Sequence, residues 1–292
     1  MKISFLIVTK NRPDDLRLTL SKLKLLINTS LHEVLVFIDG CKATEAIISD
    51  FSWVHWTVSK QSVSASPARN TLYKKAKGAI FIGLDDDAHP ISENFIETVE
   101  TTFKENSKLG VIAFQEVRGL FSSDKEALKQ SISGENYFSN DFVGCGFAIA
   151  KEVYNATNGF PVWIDIYGEE PAVAIEVLDL GYDILYSYDI KVNHRVDVEK
   201  RKKQGRNYFR FERQLKNSIR LYLVYYPKPL FKIAKLLFHN FKKYAISDWK
   251  YFKSFISVFF TTLFKLPYIL NYRKPVKSST IVKKETIKSL KY

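Results

Sequence analysis

The chain has 292 residues, of which 46% are hydrophobic and 26% charged, a composition that excludes a disordered or fibrous protein and allows one large domain, or one domain with an appendage. Only Cys41 and Cys145 are present. With no CxxC or Cys/His cluster they exclude a disulfide framework and a zinc ribbon, fit a reducing compartment, and read as buried packing residues. The formal net charge of +13 is unevenly spread: residues 1–190 carry 18 Lys and Arg against 26 Asp and Glu, and residues 191–292 carry 26 against 5. A mildly acidic body therefore precedes a strongly basic end, which places the chemistry in the body and gives the end an anionic partner surface.

The first half alternates short β-branched and aromatic runs with longer amphipathic ones, the pattern of βαβ units around a mostly parallel sheet. Ile3–Thr9 reads as the first strand, with a helix from Pro13. Val34–Ile38 and Val54–Val58 follow as strands, then Ser66-Pro67-Ala68 as a helix start running to about Lys75. Ala79–Leu84 is the fourth strand, Ser92 to about Phe103 a helix, and Val111–Phe114 a further strand. Arg118–Asp141, rich in Gly, Ser and charge, reads as a mobile excursion near the active site. Val143–Ile149 is apolar with two glycines, Gly144 and Gly146, suited to close backbone approach to a ligand or within a crowded strand. Glu169–Leu180 is helical with Gly181 as its end, and Ile184–Val192 is the last strand of the body.

Three features carry chemistry. Asp85, Asp86 and Asp87 follow directly on an apolar strand, at the end where open α/β sheets bind ligands. Carboxylates this close repel one another unless a cation intervenes, and Mg²⁺ or Mn²⁺ shared with substrate phosphates is the usual resolution. His194, just beyond the last strand, can complete such a coordination sphere. Glu169 and Glu170 open a helix, where one carboxylate can act as general base on a hydroxyl. Each also has a structural explanation, since acids favour turns and first helical turns and a single His at a strand end is commonly packed.

Taken together, the order of these pieces resembles the glycosyltransferase family 2 enzymes, from about Lys2 to His194. Ile7-Val8-Thr9-Lys10-Asn11-Arg12-Pro13 resembles the family's opening strand and turn, Val36-Phe37-Ile38-Asp39 its second-strand end, and Ala68-Arg69-Asn70 ahead of Gly78 to Asp87 its Arg-Asn helix and DxD strand. Asn158-Gly159-Phe160 and Glu169-Glu170, twelve and eleven residues before Gly181, match its Gly-Gly-Phe and Glu-Asp elements, with Glu-Glu here and Ala172 where an acid is common. The resemblance implies a GT-A fold, an α/β architecture with a Rossmann-like, mostly parallel sheet. It implies a donor site of Thr9, Asn11, Arg12, Asp39, Arg69, Asn70, Asp85 and Asp86, metal ligands Asp87, His194 and Asp85, and Glu170 or Glu169 as base. The implied reaction is inverting, Mg²⁺- or Mn²⁺-dependent transfer of a sugar from a UDP-, dTDP- or GDP-sugar to a glycan or lipid-linked hydroxyl. Trp163 is a candidate sugar platform, with loop anchoring as the commoner role of a buried Trp.

From Lys200 basic and aromatic residues interleave, and Leu230, Ile233, Leu236, Leu237 and Phe241 recur at helical spacing with lysines between. This is a basic amphipathic pattern suited to an anionic membrane surface, broken into pieces by Pro227, Pro229 and Pro267. Nucleic acid is the weaker alternative, because no RNA- or DNA-binding signature accompanies the pattern; a nucleotidyltransferase with a similar sheet is another. The division expected is a catalytic body over 1–198, a helical membrane-associating region over 199–273 and a loose basic tail over 274–292. No signal peptide is expected, because the apolar start is short, and the longest apolar run, Ser254 to Phe264, falls short of the roughly 20 residues that span a bilayer. The expected place is the cytoplasm, at the inner face of the membrane.

Overall fold

The computed structural model describes residues 2–290. Nine strands, β1 (Ile3–Thr9), β2 (His32–Asp39), β3 (His55–Ser59), β4 (Ile80–Asp85), β5 (Ala88–Pro90), β6 (Leu109–Arg118), β7 (Tyr137–Phe138), β8 (Gly146–Ala150) and β9 (Asp183–His194), form one sheet. The order is β3-β2-β1-β4-β8-β6-β9-β5, with β7 beside β9. β1 runs parallel to both β2 and β4, β8 is antiparallel to β4 and β6, and β6 is parallel to β9.

The central strands are apolar almost throughout because both faces are covered, and the two-residue period of a strand divides their side chains between two cores. Ile3, Phe5 and Ile7 of β1 and Val34, Val36 and Ile38 of β2 pack with Leu16, Leu20 and Leu23 of the helix Pro13–Leu26 and with Phe95 and Val99 of the helix Phe95–Glu105. Leu6, Leu35, Phe37 and Phe81 point the other way, against Ala68, Leu72 and Tyr73 of the helix Ala65–Tyr73 and Val173, Ala174 and Val177 of the helix Glu169–Asp179. Gly83 lets the Phe147 ring lie across β4: a Cβ there would meet Phe147 Cε1 at 2.3 Å.

Several boundaries differ from the sequence expectation. The helix after β3 begins at Ala65, with Ser64 at its cap position in a left-handed conformation (φ +76°), while Ser66 lies inside the helix and donates to Pro161 O at 2.7 Å. β6 continues to Arg118 and β9 to His194, because their polar ends pair with each other in the sheet. The 118–141 segment is ordered. It contains the helix Asp124–Lys129, capped by Ser123, and is tied down by Gln115, which bonds Ile132 through both amide atoms, and by β7.

The basic half folds back. The helix Tyr208–Tyr225 packs its Phe211, Leu215 and Ile219 with Trp163, Ile164, Ala172 and Ile175 of the body and with Tyr251, Phe255 and Val258 of the helix Trp249–Phe264. Residues 274–290, expected as a loose tail, are held to the body: Ser278–Thr286 is helical, Lys283 pairs with Asp183 at 2.7 Å, and Ile287 and Leu290 pack on the second core. Net positive charge predicts solvation of such a segment, but its apolar and acid-complementary positions dock it.

Asp165 latches the two halves: its carboxylate meets Lys216 Nζ at 2.9 Å, Arg213 Nη1 at 3.0 Å and Asn217 Nδ2 at 3.1 Å. Burial opposes its ionisation, but Lys216 and Asn217 overcome that and hold the carboxyl at about 2. A depressed folded-state value stabilises the protein above the unfolded value near 4 and ceases to do so as pH falls through about 2. We expect Asp165→Asn to cost about 1 kcal/mol at pH 7, after discounting for its half-exposure. Urea melts should show that difference shrinking between pH 4 and pH 2; a difference independent of pH would mean the latch is not electrostatic.

Candidate active site

The carboxyl ends of β1, β4, β6 and β9 converge on one acidic hollow. Asp85 ends β4 and Asp86 and Asp87 form the turn into β5, so the three carboxylates diverge. Asp86 turns inward, accepting from Thr9 Oγ1 at 2.7 Å and from Arg12 Nη1 at 3.1 Å, and burial pushes its carboxyl up to about 7. Arg12 also reaches Asp87 Oδ2 at 2.7 Å. Burial alone would lower the Arg12 pKa, but the two aspartates raise it.

Asp87 is 5% exposed. Its buried Oδ1 faces His194 Nε2 at 3.2 Å as an ion pair and takes no other donor. The other ring nitrogen, Nδ1, contacts the Glu116 carboxylate on β6, and Glu116 is itself held by Arg118 at 2.7 Å. Burial disfavours a charged imidazole, but Asp87, Cys145 and Glu116 outweigh it and lift His194 to about 12. Carboxylate oxygens of Asp85 and Asp87 and a ring nitrogen of His194 all lie within 4.8 Å of one another. Oxygen donors with one imidazole suit Mg²⁺ or Mn²⁺, and an anion that fixes the ligating ring from behind is the usual support of such a site.

Across the hollow stands Arg69, 8% exposed. Its guanidinium bonds Asp85 at 2.9 Å and Glu170 at 2.8 Å, lies 3.5 Å from Glu169, and donates to Gly144 O at 3.4 Å. Burial would lower the Arg69 pKa, but Glu170, Asp85 and Glu169 raise it. Gly144 is a steric requirement, because a Cβ there would sit 2.1 Å from Glu170 Oε1. Glu169 is 3% exposed, and its Oε2 has no partner. Burial, then the neighbouring Glu170, raises its pKa. Glu170 is the more open of the two.

The remaining sequence candidates serve this frame in other ways. Asn11 takes a left-handed turn (φ 58°) and accepts from Cys41 Sγ at 2.7 Å. Asp39 is 3% exposed and accepts from Ser62 Oγ and the Val63 and Ser64 amides, so its carboxylate shapes the loop into the Ala65–Tyr73 helix. Asn70 donates to Phe160 O at 2.7 Å. Gly146 lies in β8, where Val192 fills the space its side chain would take. Trp163 is 6% exposed and packs on Tyr225 and Tyr272, the loop-anchoring role. Sequence reading missed Glu116. Its signal is the polar continuation Gln115-Glu116 beyond Phe114, which keeps the strand going to the register where Arg118 faces His194.

This sheet, with an acidic metal-type cluster at the carboxyl ends of its strands, defines a GT-A glycosyltransferase fold. A model for glycosyl transferase family 2 matches residues 4–150, half of the sequence, and the chain belongs to that family. Among solved structures it is similar to GalNAc-T7 with UDP, GalNAc and Mn²⁺ (TM-score 0.62, 18% identity, 80% of this chain, 49% of that one). This chain thus spans about half of that protein's length. It is also similar to residues 1–349 of S. aureus TarS in complex with UDP-GlcNAc (0.61, 14%, 88% and 79%). A third is the mannosyltransferase PcManGT of Pyrobaculum calidifontis with GDP-Man and Mn²⁺ (0.58, 14%, 90% and 75%). No curated protein matches the sequence.

Glu116→Gln keeps shape but removes the charge behind His194. We expect Mn²⁺ affinity, measured by calorimetry, to fall about ten- to a hundredfold; unchanged affinity would place the cation elsewhere.

Proposed function

We propose that the protein transfers a sugar, with inversion, from a nucleotide-sugar donor to a hydroxyl of a glycan or lipid-linked acceptor in surface polysaccharide or glycoconjugate synthesis. The observation that carries this reading is the cluster of Asp85, Asp87 and His194, whose donor atoms lie within 4.8 Å of one another, with Glu170 on the other side of Arg69. The complexes with UDP, UDP-GlcNAc and GDP-Man formed by the structural neighbours support the donor class.

In this reading Asp85, Asp87 and His194 hold Mg²⁺ or Mn²⁺, which when bound neutralises charge on the departing diphosphate. Glu170 takes the proton of the acceptor hydroxyl as its oxygen bonds the anomeric carbon and the bond to the diphosphate breaks. Arg69 fixes the direction of that carboxylate and restrains Asp85, while Glu169, whose pKa burial raises, lies behind Glu170. Thr9 and Arg12 hold Asp86 and Asp87 at the donor side, and Asn11, Asp39 and Asn70 shape the walls.

We also propose that the enzyme works on an anionic membrane, at its cytoplasmic face. Among the described residues no helix is long and apolar enough to cross a membrane. The helix Pro229–Asn240 buries no residue, and Leu230, Phe231 and Phe238 are 70–77% exposed. Trp249 (66%), Phe260 (53%) and Phe264 (85%) extend the aromatic surface, with Lys242, Lys243, Lys250 and Lys253 nearby in the chain. Aromatic and lysine residues on one amphipathic surface match a lipid headgroup region.

Calorimetry with UDP, GDP and dTDP, each with and without Mn²⁺, should show metal-dependent binding of one nucleotide, lost in Asp87→Ala. Absence of binding by all three would remove the transferase reading. Because the Tyr208–Tyr225 helix completes the core, the membrane test uses point changes and not truncation: Phe260→Ser with Phe264→Ser should weaken sedimentation with phosphatidylglycerol vesicles at least tenfold, at roughly 1.5–3 kcal/mol per buried Phe. Full retention of vesicle binding would reject this face.

A further inference from the structure

Arg213, Lys216 and Arg220 are spaced three and four apart on the Tyr208–Tyr225 helix and so share one face. That face lines a cleft of about 310 Å³ whose other walls include Asp165, Lys265 and Tyr268. Asp165 is the one carboxylate among the residues lining it, and it is taken by Lys216 and Arg213. Arg220 is 6% exposed; Nη1 donates to Trp163 O, Nε has no partner, and no carboxylate pairs with it among the described residues. Arg213 Nε is also buried without a partner. Four cations thus line the cleft with one lining acid, Arg213 having Glu212 as a second partner at 3.9 Å, and two of the four, Lys216 and Arg220, are nearly enclosed. Burying cations without counter-charge is costly, and a bound anion recovers that cost, most strongly one that accepts from guanidinium forks.

The cleft lies beside the proposed chemistry. Asp165 is four residues before Glu169, so their Cα atoms are at most about 14 Å apart. Lys265 on its rim follows Phe264, which is 85% exposed at the proposed membrane face. Resting on the transferase reading, we propose that this cleft binds a phosphate group carried by the acceptor, holding it by Arg213, Arg220 and Lys265 while the acceptor's hydroxyl reaches Glu170. The acceptor is then a phosphorylated molecule, either a lipid-linked phosphate or a soluble or polymeric phosphodiester.

The test is titration of inorganic phosphate into the full chain without nucleotide or metal, followed by calorimetry or ³¹P NMR. Wild type should bind, and Arg213→Gln with Lys265→Gln should weaken binding at least about tenfold. Lys265→Gln alone, an exposed change that leaves the core intact, should weaken it in part, and Lys104→Gln, an equal charge change on a remote helix, should not. No binding by wild type at millimolar phosphate, or equal weakening by Lys104→Gln, overturns the proposal. Decyl phosphate and glycerol 3-phosphate then separate the sources: tighter binding of the alkyl ester assigns a lipid-linked phosphate, equal binding a soluble or polymeric one, and failure of both to compete with inorganic phosphate overturns the acceptor role. Nucleotide titration with Mn²⁺ on the same wild-type preparation keeps the two readings apart, since loss of nucleotide binding defeats the transferase and loss of phosphate binding alone defeats only this cleft.

Discussion

A guanidinium enclosed to 8% exposure needs anions around it, and Arg69 finds Asp85, Glu170 and Glu169 within 3.5 Å. These acids come from two distant parts of the chain, the end of β4 and the start of the Glu169–Asp179 helix, and Arg69 comes from a third. Removing Arg69 would leave these acids without their shared cation, so the three elements are fixed relative to one another by electrostatics as well as by packing. The planar fork also sets distance. An acid on the side where a diphosphate would depart and an acid on the side where a hydroxyl would arrive are held at two ends of one rigid group. A side chain at position 144 would displace the Arg69–Glu170 pair, since a Cβ there would meet Glu170 Oε1 at 2.1 Å and Arg69 Nη2 at 2.7 Å.

The same economy governs the opposite wall. Three consecutive aspartates would repel one another into partial neutrality if left alone. Each has its own environment: Asp85 faces Arg69, Asp86 is turned under Thr9 and Arg12 with its carboxyl pushed up to about 7, and Asp87 shares Arg12 and keeps one oxygen against His194. Behind that oxygen, Glu116 and Arg118 anchor the His194 ring. In the cation-free protein His194 carries the compensating charge; a divalent cation that took its Nε2 would displace that proton and supply the charge itself. Arrangement of anchor, ring and open carboxylate is therefore balanced in both states.

Much of this was readable beforehand where periodicity and residue type agree. The β1 run and Pro13 helix start matched because a buried parallel strand is apolar throughout and proline fits a first helical turn. Gly181 ended its helix at φ +93° as its residue type required. The aspartate triplet and Glu169-Glu170 stand out by position and Arg69 by resemblance, and the structure brings them together. Glu116 was not visible, because a carboxylate's partner across parallel strands depends on register that no local pattern encodes. Ser66 was taken for a helix cap where Ser64 stands; two serines two residues apart offer the same signal, and the Asp39 contacts to the 62–64 loop decide between them.

The basic half shows why composition and architecture part company. Charge alone predicts a solvated appendage, yet Phe211, Leu215 and Ile219 complete a core that Trp163, Ile164, Ala172 and Ile175 cannot close by themselves. Since Ala172 and Ile175 belong to the helix that begins with Glu169 and Glu170, the appendage supports the element carrying the acids at its first turn. One helix therefore has three tasks on two faces: Leu215 and Ile219 seal the body, while on the opposite side Asn217 fixes the Asp165–Tyr167 loop that leads into Glu169 and Arg213, Lys216 and Arg220 leave positive charge beside that loop. The exposed aromatic surface is thus coupled to the two acids through a continuous core, so whatever it binds is held in a fixed relation to Glu169 and Glu170.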